Sequence, residues 1–170
     1  MSTEVPLDEF FLRREEQPSM GAAARSEAVS ELLLFALGHE ELAVEVTALR
    51  EIVMPPPLSD VPRARPGVLG VTMLRGRVVP VFDPRPALRL SARDPTAPHA
   101  RVIIADSGQG PFGLWVDRVL HVLRVKTSSL ETPPAALGGE TGLLTGVGRH
   151  GTKVFGVVNL AKLVAPGGRA

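Results

Sequence analysis

The chain of 170 residues contains no cysteine and no tyrosine. Without thiols there is no disulfide staple, no thiolate nucleophile and no zinc–thiolate centre. The lack fits a reducing compartment. Aromatic residues make up only 4% of the chain, with a single tryptophan, which leaves little to stack against bases. Neither sign of charge dominates. The formal net charge is +1, so no global field points to nucleic acid or to an acidic membrane. No stretch approaches the roughly 20 apolar residues of a membrane span. The N-terminus has no basic region followed by an apolar core, so no secretory signal is expected. The expectation is a soluble cytoplasmic protein without direct membrane insertion.

Catalytic patterns are missing as well. G-x-S-x-G, G-x-x-x-x-G-K-[ST] and H-E-x-x-H do not occur. His39, His99, His121 and His150 are dispersed and show no ligand spacing. Gly138-Gly139-Glu140-Thr141-Gly142 lacks the lysine and the strand–loop–helix context of a phosphate cradle. The sequence therefore reads as a non-enzyme, with no cofactor and no metal site.

What the chain does have is glycine and proline, 17 and 16 of them. These suit short strands and turns better than long helices. Leu32–Leu37 and Leu42–Val46 read as strands around a Gly38-His39 turn. Val102–Ala105, Pro111–Val116, Val119–Val125, Leu143–Val147 and Lys153–Val158 read as further strands, the last two joined by a Gly148–Gly151 turn. The spacing of Val46, Leu49, Ile52 and Val53 predicts a short helical turn, ended by Pro55-Pro56-Pro57. Pro86–Leu90 and Ala161–Val164 are further brief helical turns. Ser91–Ala100 and Ser128–Thr141 are loops. No internal repeat is evident. The class is an all-β barrel fold.

Residues 1–30 stand apart. They carry six acids against three arginines, a net of −3, which leaves +4 for the remainder. Asp8–Glu16 could form a short docking helix through Phe10, Phe11 and Leu12; so few apolar residues also suit a disordered tail.

The most informative stretch is Gly67–Asp83, GVLGVTMLRGRVVPVFD. Val68–Leu74 and Val78–Phe82 are short apolar strands around an Arg75-Gly76-Arg77 corner, where Gly76 supplies the positive φ of a hairpin turn. Arg75 is thereby fixed at a rigid turn, either as a solvated charge or as an anchor for a partner. Glu51, beside Ile52, is either a solvated charge or a carboxylate that holds the Arg75 guanidinium. Asp117 reads as a turn cap and Trp115 as core. The arginines Arg63, Arg65, Arg75, Arg77, Arg85, Arg89 and Arg93 read as scattered loop charges rather than a phosphate-binding stripe.

The ordered set goes further than any one piece. Phe35-Ala36-Leu37-Gly38 precedes Leu42–Val46 and Leu49-Arg50-Glu51-Ile52. Then come Gly70-Val71-Thr72-Met73-Leu74-Arg75-Gly76 and Val79-Pro80-Val81. Gly113–Val119 and Val158–Leu163 follow. In this order the chain resembles the CheW-like domain family, the adaptors of bacterial chemosensory arrays, over roughly residues 31–164. The resemblance implies a domain at 31–166, between an extension at 1–30 and a tail at 167–170. It implies two small five-stranded, SH3-like β-barrels packed as one unit. It implies a non-enzymatic scaffold that couples chemoreceptors to a CheA-type histidine kinase, recruited to membrane-associated receptor arrays. The implied partners are the kinase regulatory domain and the cytoplasmic tip of methyl-accepting chemoreceptors. The implied receptor groove includes Glu51, Ile52, Gly70, Arg75, Val119 and Val122, with Glu51 and Arg75 within about 4 Å of each other. The alternative is a β-barrel binding module outside chemosensing, for nucleic acid or a small ligand. The chain departs from the family pattern at Leu42, Ala43, Met73, Pro84-Arg85-Pro86 and Asn159.

Overall fold

A computed structural model describes residues 28–137 and 141–165. The expectations for the N-terminal docking segment and the C-terminal tail lie outside the described residues. The strands are β1 (Val29–Leu37), β2 (Glu40–Glu45), β3 (Leu49–Val53), β4 (Val68–Leu74) and β5 (Arg77–Phe82), then β6 (Arg101–Asp106), β7 (Pro111–Val116), β8 (Arg118–Lys126), β9 (Leu144–His150) and β10 (Lys153–Val158). They form two five-stranded sheets, in the orders β8-β1-β2-β10-β9 and β3-β6-β7-β5-β4. The pairs β2–β10 and β5–β7 are parallel; the others are antiparallel.

The expected helical turn over Val46–Val53 is corrected. Only Val46–Ala48 forms a single 3-10 turn; Leu49–Val53 is a strand paired with β6. Ladder hydrogen bonds and burial override a helix-like spacing that spans a turn and a strand. The last hairpin turns at Gly151-Thr152, with Gly148 inside β9. Short helices occur at Arg85–Leu88 and Leu160–Val164, and the Asn159 side chain accepts from the Lys162 N–H to cap the second.

Among the described residues, three apolar cores hold the fold together. Leu32, Leu34, Ala43, Phe155 and Val157 fill the first sheet. Val79, Val81, Val102 and Ile104 fill the second. The largest lies between the sheets and takes Leu33, Phe35, Leu37, Leu42, Val44, Ile103, Phe112 and Leu114 among others. This explains the unbroken apolar runs of β1 and β6. Successive side chains point to opposite faces, and both faces of these strands are buried, one in a sheet's own core and one in the shared core.

The fold is duplicated, although no repeat is evident in the sequence. Each half supplies a hairpin, a strand that crosses to the other sheet, a second hairpin and a short helix. The first half runs from β1 to the helix Arg85–Leu88, the second from β6 to the helix Leu160–Val164. Arg77–Asp83, RVVPVFD, corresponds to Lys153–Asn159, KVFGVVN. The crossing strands β3 and β8 become edge strands, as do β4 and β9. The sheets are not closed by a continuous ladder. Instead, the segment after each crossing strand makes one bridge to the opposite edge: Ser59 to Val71 in the second sheet and Glu131 to Val147 in the first.

The β6–β7 turn is held by charge. Asp106 Oδ1 accepts from Gly108 N at 2.8 Å and Gly110 N at 3.2 Å, and Oδ2 pairs with Arg50 at 3.3 Å. The Gly108 N–H, helped by the Gly110 N–H and Arg50, holds the Asp106 carboxyl below the usual carboxylate range. A carboxyl depressed on folding contributes stability above its unfolded value and loses it as pH falls through the folded value. Asp106→Ala should speed amide exchange at Gly108 and Gly110 at neutral pH. Unchanged protection would show that the turn holds without the carboxylate.

Candidate partner-binding site

The β4–β5 hairpin is closed by two residues, with Leu74 opposite Arg77. Arg75 has φ 51° and Gly76 φ 77°. Two successive positive φ values are the signature of a type I′ turn, whose twist matches that of its strands. Arg75 therefore sits at a fixed tip. Its Nε donates to Glu51 Oε2 at 3.1 Å, and Nη2 lies 3.1 Å from the same oxygen. The expected approach of these two side chains is found. It requires the second sheet to coil, because β3 and β4 are its opposite edges. The Arg75 side chain remains 78% exposed against 28% for Glu51. The carboxylate is the fixed member, and it aims a cation still open to solvent.

Ile52, Val119 and Val122 are half-buried and pack against the core between the sheets. They bring an apolar rim from both sheets to the inter-sheet junction. Gly70 is different. It is buried, and a Cβ there would lie 2.6 Å from the Ser59 carbonyl oxygen. The missing side chain lets the Leu58–Ser59 segment lie against β4.

Two further pairs of side chains meet in the structure, one on each sheet. Met73 and Val78 face each other across the hairpin and are 66% and 63% exposed, which makes the flank of the Arg75 turn apolar. His121 and His150 meet, with ring centroids 4.8 Å apart. Met73 was legible as a departure from the family pattern. No local spacing could have paired the histidines.

Arg85 is a buried charge, 4% exposed. It pairs with Asp117 Oδ2 and lies 3.7 Å from Asp83 Oδ1, while its own N–H donates to Asp83 at 3.0 Å. Asp117 Oδ2 also accepts from Gly38 N at 2.6 Å. The aspartate thus caps the β1–β2 turn, as the sequence suggests, and also ties it to the second sheet. Arg65 Nη2 donates to the Val164 carbonyl at 2.6 Å, at the end of the last helix, and its guanidinium lies 5.4 Å from the Phe82 ring centroid. Arg93 stacks 4.6 Å from the centroid of Trp115, which is half-buried against the second sheet's core. Four arginines of the series are thus engaged within the fold, an arrangement unlike a row of cations free for phosphates.

A recess of about 470 Å³ lined by Thr47, Ala48, Leu49, Arg50, Asp106 and Gly108 contains none of the expected site residues. Among the described residues no group of three or more His, Asp or Glu side chains could hold a metal ion. No helix among them is long and apolar enough to cross a membrane.

Comparison with known proteins identifies the family and the fold. The CheW-like domain model matches residues 31–166. The chain is 36% identical over 118 residues to the chemotaxis protein CheW of Rhizobium meliloti, covering 69% of this chain and 76% of that one. It is 25% identical over 158 residues to the chemotaxis protein CheW of Helicobacter pylori, covering 93% and 95%. The scaffolding protein TtCheW from Thermoanaerobacter tengcongensis has the same fold, with a TM-score of 0.76 at 23% identity over 84% of this chain and 97% of that one. By the matched domain and the shared fold, this chain belongs to the CheW-like domain family.

Proposed function

We propose that this chain is a non-enzymatic adaptor of a chemosensory array that couples chemoreceptors to a CheA-type histidine kinase. The observation that carries the reading is the Arg75 tip. It is an exposed guanidinium, aimed by Glu51 from the opposite sheet edge and flanked by Met73 and Val78. Arginine surrounded by apolar area is the composition of a binding anchor. The half-buried Ile52, Val119 and Val122 supply the apolar rim against which the helical tip of a receptor packs. Glu51, Ile52, Arg75, Val119 and Val122 form the contact set, with Gly70 shaping it from beneath. The kinase regulatory domain is the second partner. No bond is made or broken in this role, and signals pass as changes in how docked surfaces sit. The array places the protein at the cytoplasmic face of the membrane.

The test is capture of a receptor-tip fragment by Arg75→Ala and Glu51→Ala variants. Arg75→Ala should weaken capture at least tenfold. Its unfolding free energy should change by only about 0–1 kcal/mol, because the pair is solvent-exposed. Glu51→Ala should weaken capture less, by freeing the guanidinium rather than removing it. Unchanged capture by a folded Arg75→Ala protein would reduce Arg75 to a turn residue.

A further inference from the structure

We propose that His121 and His150 form a binding site for a late first-row divalent cation, with Zn²⁺ and Ni²⁺ as its probes. The two residues come from β8 and β9, the opposite edges of the first sheet. They meet where that sheet coils back on itself. Their ring centroids are 4.8 Å apart, the ring planes are tilted by 52°, and both residues are exposed. A cation from solvent reaches them without any opening of the fold.

The duplicated fold gives the second argument. In each half, the crossing strand and the tip region of the following hairpin face each other across the seam of a sheet. In the second sheet those places hold Glu51 and Arg75, which attract each other as opposite charges. In the first sheet they hold His121 and His150. Two imidazoles form no such pair of opposite charges. Each offers a nitrogen lone pair, and a cation placed between them accepts both. Imidazole suits Zn²⁺, Ni²⁺ and Cu²⁺, whereas Mg²⁺ and Ca²⁺ prefer oxygen ligands. Two protein ligands leave the remaining positions to water or to a carboxylate from a docked partner.

The nearby charges set the strength. Lys153 stands opposite His150 in the β9–β10 ladder, but its ammonium lies 3.4 Å from Glu41. Arg124 on β8 is paired with Glu31 at 3.6 Å. Arg149 precedes His150 and points to the other face of β9 by strand alternation. With these basic neighbours and only two ligands, the affinity belongs in the micromolar range.

The experiment is calorimetric titration of the untagged full chain with Zn²⁺ and, separately, Ni²⁺. One saturable site is expected for each, and none for Mg²⁺. His121→Gln and His150→Gln should each weaken binding at least tenfold, while His39→Gln and His99→Gln leave it intact. At about a hundredfold excess over Kd, Zn²⁺ should raise the Tm of the unmodified protein by roughly 5–10 °C, and the rise should vanish in the His121→Gln variant. Because both histidines are exposed, the glutamine variants should keep the circular dichroism spectrum of the parent. No saturable binding, or binding retained by the His121→Gln, His150→Gln double variant, would overturn the site.

Discussion

Replacing Arg85 by alanine is expected to lower the unfolding free energy by about 3–5 kcal/mol, the range for breaking a buried ion pair by removing one partner. The guanidinium is almost wholly buried and sits between Asp83 and Asp117. Its removal leaves two carboxylates close together with their shared cation gone. The loss reaches both sheets. Asp83 directly follows β5, and Asp117 joins β7 to β8 while holding the Gly38 N–H of the β1–β2 turn. Arg85→Lys should recover only part of the loss, because an ammonium cannot reproduce the planar fork. Asp117→Asn should cost less than Arg85→Ala, since the amide oxygen still accepts from Gly38. Urea denaturation measures all three. A loss below about 1 kcal/mol for Arg85→Ala would mean that water replaces the guanidinium and that the triad does not hold the junction.

Gly70→Ala should cost about 2–4 kcal/mol, from backbone strain of the order of 1–3 kcal/mol and a steric clash. Gly70 has φ 152°, a conformation that L side chains rarely adopt. An added methyl would stand 2.6 Å from the Ser59 carbonyl oxygen, 3.2 Å from Leu58 Cβ and 3.3 Å from Ser59 C. Backbone has to yield. The bridge from Ser59 to Val71 has both its hydrogen bonds, at 2.8 and 2.9 Å, beside that contact. Gly76→Ala is the control. Its φ of 77° is also unfavourable, but nothing lies within 4 Å of an added Cβ, so only the conformational cost of about 1–2 kcal/mol applies. Equal losses at the two positions would show that the Leu58–Ser59 segment moves away freely. If the prediction holds, weakened partner binding in a Gly70 variant reports a displaced strand rather than a lost contact.

Much of the fold was legible in the sequence because its strands are short and punctuated. The Arg75-Gly76 corner, the β1–β2 hairpin and the β6–β7 hairpin follow from apolar runs bounded by glycine and proline. β3 was not legible. Its Leu49, Ile52 and Val53 continue from Val46 across a 3-10 turn, and together they mimic the spacing of a helix face. The pairing of Glu51 with Arg75 rested on family resemblance, since only the coiling of the sheet brings its two edges together. Arg85 was hidden for a related reason. It stands between two prolines among other arginines, and nothing local distinguishes the one that folds inward. The duplication was hidden because the two halves share a burial pattern more than a sequence. Arg77–Asp83 and Lys153–Asn159 match mainly in where their apolar residues stand.

The exchange of crossing strands between halves also sets an order for synthesis. The second sheet is built from one continuous stretch, β3 to β7, whereas the first takes β1 and β2 from one end of the chain and β8 to β10 from the other. A ribosome delivers every strand of the second sheet before any of its late partners reach β1. β1 thus emerges early with Leu32 to Phe35 bound for two cores; it can pair with β2 at once, but its other edge must wait for β8, and β2 must wait for β10. Contacts this far apart in the chain make folding slow and leave an apolar strand open to wrong pairing in the meantime. Truncation that removes β9 and β10 would strip β2 of its outer partner, and the damage would appear in the β1–β2 hairpin, far along the chain from the cut.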